Sequence, residues 1–139
     1  MIEDALVGTD GADGLHAGGD FTMIGSKRLL NIGTLIRDVV AMDVPGDVIE
    51  TGVWRGGAVI YMRYILKLLG SSKKVFVADS FDGLPPPDAK YPSDAGWDYS
   101  KMWHLSVSEK DVKANFERFG LLDDGVVFVK GWFKYTLAA

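Results

Sequence analysis

Apolar residues recur at helical spacing between positions 26 and 42. This spacing predicts a helix with one apolar face. The residues of that face are Leu29, Leu30, Ile32, Leu35, Ile36, Val39 and Val40. Pro45 and Gly46 end the helix, because proline and glycine interrupt helical hydrogen bonding. A short strand is predicted over 47–50, and a second helix over 56–69.

Two more strands are predicted, over 74–79 and 125–130. The first is continuously apolar, which is typical of a parallel strand covered on both faces. Between them, Ser106 or Ser108 caps a third helix that runs to Phe119. Because a helix separates each pair of strands, right-handed crossovers predict the strand order 3-2-1. The expected fold class is α/β, with a Rossmann-like, doubly wound sheet.

Two segments fall outside this alternation. Residues 1–20 are rich in glycine and aspartate, and we expect a flexible arm there, with 21–139 forming the domain. The segment 80–107 is a long loop that contains three consecutive prolines, and long loops are usually functional. It also carries Trp97, Tyr99, Trp103 and His104.

Composition narrows the class of protein. The 139 residues are 47% hydrophobic and 24% charged, which is typical of one soluble globular domain. A net charge of -4 argues against nucleic-acid binding. The absence of cysteine excludes disulfides and thiolate metal sites. The chain has no signal-peptide pattern and no apolar run of about 20 residues, so no membrane association and a cytoplasmic location are expected.

The stretch ETGVWRGGA, residues 50–58, follows the first predicted strand as a glycine turn. A P-loop reading fails, because Ala58 and the next residue replace the required Lys and Ser/Thr. A dinucleotide fingerprint is opposed by Trp54, which takes the place of the glycine that approaches a pyrophosphate. An S-adenosylmethionine turn fits better: Gly52 makes the turn, Glu50 supplies a carboxylate, and Asp79 is a ribose-binding acid about 20 residues onward. Glu50 as a helix-capping acid and Asp79 as a loop cap stay open alternatives.

Several long motifs occur in one order along the chain. They are IETGVWRGGA, VADSFDGLPPPD, YPSDAG, VKANFERFGLLDD and KGWFKYTL. In these motifs the sequence resembles the macrolide-sugar O-methyltransferase family typified by macrocin O-methyltransferase, from about residue 22 to the end. The resemblance implies a class I methyltransferase fold, S-adenosylmethionine as donor, Mg²⁺, and a sugar hydroxyl of a natural product as acceptor.

The resemblance also implies which residues hold the cofactor. They are Glu50, Thr51, Gly52, Val53, Trp54, Asp79, Ser80, Phe81, Asp82 and Gly83, with Gly131 and Trp132 near the adenine and Thr22 and Met23 folding over the site. The partner would be a small glycosylated acceptor, and homo-oligomer formation is left open.

Other parts of the family pattern are missing from the chain. The resemblance places the metal ligands and the catalytic base on aspartates in DGD-like and DD-like motifs beyond the third strand, and none follows here. Asp123 and Asp124 precede that strand, and Tyr135 stands where an acid is expected. His104 is more typical of a packing or surface residue than of a base. We therefore expect a fragment truncated after the third strand, inactive alone, with no catalytic or metal residue of its own. The alternatives are an NAD-type dehydrogenase fragment and a non-catalytic association module.

Overall fold

The computed structural model of the protein describes residues 2–7, 21–94 and 96–137. Helices and strands alternate along most of this chain. The helices are α1 (Ile2–Val7), α2 (Gly25–Ala41), α3 (Gly57–Leu68), α4 (Glu109–Arg118) and α5 (Phe133–Thr136). The strands are β1 (Val48–Thr51), β2 (Val75–Asp79) and β3 (Val126–Lys130).

The three strands form one parallel sheet in the order β1-β2-β3, with β2 in the centre. The predicted α/β class and strand order are therefore confirmed. Glu50 pairs with Val77, and Val77 pairs with Phe128. Because the strands are parallel, the turns that follow β1, β2 and β3 lie at the same edge of the sheet.

Helix α2 packs on α3 through a narrower stripe than the sequence predicts. Leu29 and Ile36 are buried, and Gly33 lies so close to Tyr61 that an added Cβ would be 2.7 Å from the tyrosine hydroxyl oxygen. Leu30 and Leu35, which the pattern places on the apolar face, are each about half exposed, at 51% and 54%. The close approach at Gly33 sets which side of α2 faces the core.

The structure describes residues 2–7 of the amino-terminal segment. Residues 2–7 form α1, and Leu6 is fully buried. Two long-range hydrogen bonds hold this turn of helix: the Tyr61 hydroxyl donates to Glu3 at 3.0 Å, and the Phe21 N–H donates to the Leu6 carbonyl at 2.8 Å. These six residues are therefore helical and packed on the domain, and the flexible arm over 1–20 stays a prediction. Residues 8–20, including His16, lie outside the described residues, and the domain division at residue 20 stays a prediction.

The described residues of the long loop include short 3-10 turns at Pro92–Asp94, Tyr99–Lys101 and Trp103–Leu105. It ends where Ser108 caps α4, with the serine hydroxyl accepting from the Asp111 N–H. Of the two serines considered as caps, Ser108 is thus the one used. The described part of the loop leads from the end of β2 to the start of α4 and forms one wall of the site.

Candidate functional site

The glycine turn after β1 leaves open space beside its first glycine. Gly52 has a φ of +85°, which favours glycine, and its N–H donates to the Ala78 carbonyl at 2.8 Å. A Cβ added at Gly52 would meet no atom within 4 Å. At Gly57, by contrast, it would lie 2.5 Å from the Phe21 carbonyl oxygen. Gly57 is therefore required for packing, whereas Gly52 faces a cavity.

Trp54 joins the glycine turn to the long loop. Its indole Nε1–H donates to the His104 carbonyl at 2.8 Å. Its backbone has a φ of +49°, an uncommon conformation for a non-glycine residue that is concentrated at functional sites. The hydrogen bond uses the backbone of His104, and the imidazole lines neither of the cavities described below.

Asp79, the last residue of β2, bonds to both neighbouring segments. Its Oδ2 accepts from the Val53 N–H at 2.7 Å, and its Oδ1 accepts from the Phe81 N–H at 2.9 Å. The Ser80 hydroxyl oxygen lies 3.3 Å from Oδ1. Since each carboxylate oxygen has two acceptor positions, Oδ2 retains one for a ligand.

The loop after β2 is a compact turn. The Ser80 hydroxyl donates to the Gly83 carbonyl at 2.8 Å and accepts from the Asp82 N–H at 3.1 Å. Phe81 has a φ of +55°, and its ring packs 5.9 Å from that of Phe128. The turn therefore presents Ser80 and Gly83 to the cavity while Phe81 points into the core.

Glu50 lies on the helix-covered side of the sheet. Its carboxylate accepts from the Val59 N–H in the first turn of α3, and its Oε2 is buried without a hydrogen-bond partner. Burial raises the pKa of Glu50 from 4.5 to about 7, the Val59 N–H opposes this, and the charge of Asp79 adds to it. The contact with Val59 is a helix-capping contact, and the cofactor role of Glu50 stays a prediction.

A smaller cavity of about 320 Å³ opens where the segments after β1, β2 and β3 meet. The Gly131 N–H donates to the Asp79 carbonyl at 2.9 Å and so holds the third segment in place. Eight of the predicted cofactor residues line this cavity: Met23, Gly52, Trp54, Asp79, Ser80, Gly83, Gly131 and Trp132. The lining also includes Leu84, Pro85, Leu105 and Phe133, which the sequence analysis did not assign to the site.

Six predicted residues do not line the smaller cavity. They are Thr22, Glu50, Thr51, Val53, Phe81 and Asp82. Thr22 is buried beside Gly57, and its hydroxyl accepts from the Ile24 N–H at 3.3 Å. Their assignment to the cofactor site stays a prediction.

A larger cavity of about 1110 Å³ adjoins the smaller one. The two cavities share the side chains of Leu84, Pro85, Trp132 and Phe133. The rest of the larger cavity is lined by the long loop between Pro86 and Tyr99 and by Lys134.

Neither a metal cluster nor a membrane span is found in the part of the chain that the structure describes. No three His, Cys, Asp or Glu side chains there come together as ligands, and no helix there is long and apolar enough to cross a bilayer. Asp123 pairs with Arg63 at 2.8 Å, which holds the pKa of that carboxyl below its usual value. This acid therefore serves the fold, at the opposite end of β3 from the cavities.

Comparison with known proteins gives a consistent set of relatives. Residues 6–139 match the family described as Macrocin-O-methyltransferase (TylF). The chain is 48% identical over 122 residues to 8-demethyl-8-(2,3-dimethoxy-alpha-L-rhamnosyl)-tetracenomycin-C 4'-O-methyltransferase of Streptomyces olivaceus, covering 84% of this chain and 46% of that protein. It is 48% identical over 121 residues to Mycinamicin III 3''-O-methyltransferase of Micromonospora griseorubida, covering 84% of this chain and 48% of that protein.

A solved structure agrees with these sequence matches. The O-methyltransferase NovP superposes with a TM-score of 0.84 at 43% identity, over 99% of this chain and 56% of NovP. The chain thus spans about half the length of the relatives it matches.

Proposed function

Because the chain belongs to the macrocin-O-methyltransferase (TylF) family, we propose that it forms the donor-binding part of an S-adenosylmethionine-dependent O-methyltransferase. The acceptor would be a sugar hydroxyl of a glycosylated natural product, as the names of its relatives suggest for those proteins. The chain spans about half of each relative, so the proposal for this chain concerns donor binding first.

The charge of the smaller cavity is the observation that carries the proposal. Among the lining residues described, Asp79 is the one charged side chain, and no Lys or Arg is present. A cavity with a carboxylate and no cation favours a cationic ligand and disfavours a pyrophosphate. S-adenosylmethionine carries a sulfonium, an ammonium and a carboxylate group and so is a cation overall, whereas NAD carries two negatively charged phosphates.

The remaining lining residues also fit this cofactor. The open side of Gly52 gives the donor room beside the backbone, and the unused acceptor position of Asp79 suits a ribose hydroxyl. Trp54 and Trp132 offer aromatic surface for the adenine. When bound, S-adenosylmethionine supplies a methyl group on a positively charged sulfur, which makes that methyl carbon open to attack by an acceptor oxygen.

The described residues do not fit a resident Mg²⁺ ion. Magnesium is held by oxygen ligands from carboxylates, and the ranges 2–7, 21–94 and 96–137 contain no group of three metal-ligating side chains. A sugar hydroxyl is a poor nucleophile at neutral pH without a base or a metal. The residues described here accordingly bind and orient the donor, and no deprotonation step is assigned to them.

Binding of S-adenosylhomocysteine and of NADH, measured separately by isothermal titration calorimetry on the 139-residue chain, tests the proposal. We expect saturable binding of S-adenosylhomocysteine and none of NADH. Tighter binding of NADH would contradict the proposal in favour of a dehydrogenase-type site. Binding of neither ligand would contradict it in favour of an association module, whose elution in size exclusion would depend on protein concentration.

A further inference from the structure

The larger cavity borders the smaller one through a common wall. Leu84 and Pro85 form this wall on one side, and Trp132 and Phe133 form it on the other. A molecule in the larger cavity would therefore lie beside a donor held in the smaller one. No role follows for the larger cavity from the family match or from the names of the relatives.

Aromatic surface is found in the part of the larger cavity that the smaller cavity does not share. The rings of Trp97 and Tyr99 are stacked, with centroids 6.2 Å apart and an interplanar angle of 18°. Trp97 is 65% exposed and Tyr99 is 41% exposed, although such large rings usually bury most of their surface. An exposed aromatic pair inside a concave surface is typical of a ligand site, because a planar or apolar ring can stack on it.

The charges around the larger cavity balance. Asp88 and Asp94 contribute two negative charges, and Lys90 and Lys134 contribute two positive ones. Without a net charge the cavity favours no ionic ligand over a neutral one. The run Pro85–Pro86–Pro87 adds a stiff apolar wall, since proline fixes its own backbone angle.

We propose that the larger cavity binds a neutral glycoside acceptor, with its sugar at the wall shared with the smaller cavity and its planar aglycone stacked on Trp97 and Tyr99. The orientation follows from the reaction, and it rests on the proposed function. Reacting atoms must approach to within about 3.5 Å, so the sugar hydroxyl must lie next to the donor. The aglycone then occupies the part of the larger cavity that the smaller one does not share, and the stacked pair lines that part.

Two neutral probes test the site on the full chain. The first is 4-methylumbelliferyl α-L-rhamnoside, and the second is methyl α-L-rhamnoside, which lacks the planar ring. Dissociation constants are measured by saturation-transfer NMR titration, and S-adenosylhomocysteine binding is measured on the same samples. Trp97→Ala removes the stacking surface. Trp103→Ala is the matched control, because Trp103 belongs to the same loop, is 84% exposed and lines neither cavity.

We expect Trp97→Ala to weaken binding of the aryl rhamnoside about ten-fold, since aromatic stacking and its buried area are lost together. Methyl rhamnoside and S-adenosylhomocysteine should bind Trp97→Ala and the wild type equally, and Trp103→Ala should change nothing. Equal binding of the aryl rhamnoside by Trp97→Ala and the wild type would overturn the proposal, as would no saturable binding by the wild type. If the wild type did not bind S-adenosylhomocysteine, that result would instead contradict the proposed function.

Discussion

Replacement of Glu50 by glutamine should change how the stability of the protein depends on pH. In the folded chain, burial raises the pKa of Glu50 from 4.5 to about 7. The folded state therefore holds this proton more tightly than the unfolded state does. The free energy of unfolding falls as pH rises from the unfolded pKa to the folded one, and it is level above that. Glutamine stays neutral throughout, and its side-chain oxygen can still accept from the Val59 N–H.

The size of the effect follows from the same two pKa values. Each unit of pKa shift corresponds to about 1.4 kcal/mol, so the full contribution of Glu50 is roughly 3 kcal/mol. Between about pH 5.5 and about pH 8, the ionisation of Glu50 should lower the free energy of unfolding of the wild type by about 2 kcal/mol. The free energy of unfolding of Glu50→Gln should not fall by this amount, so at the higher pH the variant should be more stable than the wild type.

Urea unfolding followed by circular dichroism at both pH values measures this difference. Subtracting the variant from the wild type removes the contributions of titrating groups that do not interact with Glu50. Glu117→Gln, which changes an exposed carboxyl on α4, should follow the wild type. If Glu50→Gln loses as much stability as the wild type over this range, Glu50 is not a buried, desolvated acid. Weaker binding of S-adenosylhomocysteine by Glu50→Gln would in addition place the carboxylate near the donor.

Three other substitutions test the turns around the smaller cavity, and Gly46→Ala, which lies away from it, is a control for one of them. Gly52→Ala and Gly46→Ala both introduce a side chain at positive φ with no atom within 4 Å, and each should lower the free energy of unfolding by about 1–2 kcal/mol. Only Gly52→Ala should weaken S-adenosylhomocysteine binding. Equal binding by both variants would contradict the assignment of Gly52 to the donor site. Asp79→Ala should weaken that binding ten- to a hundred-fold, as expected for charge-assisted hydrogen bonds of about 1.5–3 kcal/mol, whereas a change below about two-fold would leave Asp79 a cap only. Trp54→Phe removes the bond to His104 and should lower the unfolding free energy by about 1 kcal/mol in urea titration; unchanged stability would show that the bond does not hold the loop.

The sheet could be predicted from the sequence because its signals are local. Continuous apolar runs mark β2 and β3, and Ser108 with its acidic neighbours marks the start of α4. Helix α1 carries no comparable signal. Its stability depends on the burial of Leu6 and on the hydrogen bond between Tyr61 and Glu3, and the two residues of that bond are 58 positions apart. Contacts at that separation are not visible in a local pattern.

The site residues that lie at or just after the ends of strands could be predicted from the sequence. Gly52, Asp79 and Gly131 could be assigned because turns after parallel strands meet at one edge of the sheet. Leu105 and Phe133 could not, since their positions depend on the path of the long loop and on α5. The Trp54 indole, which bonds to the His104 carbonyl, brings that loop to the turn, and this pairing has no sequence spacing that would reveal it.

Asp79 explains why these separate segments form one cavity. Its carboxylate holds the turn after β1 through the Val53 N–H and shapes the turn after β2 through the Phe81 N–H, while its backbone carbonyl accepts from Gly131 after β3. A ligand hydroxyl that donates to the free position of Oδ2 would therefore contact the residue that orders all three segments. A hydrogen bond there would stabilise all three turns at once. Donor binding is therefore expected to order the wall that the two cavities share, and a variant that disorders this wall is expected to bind the donor more weakly.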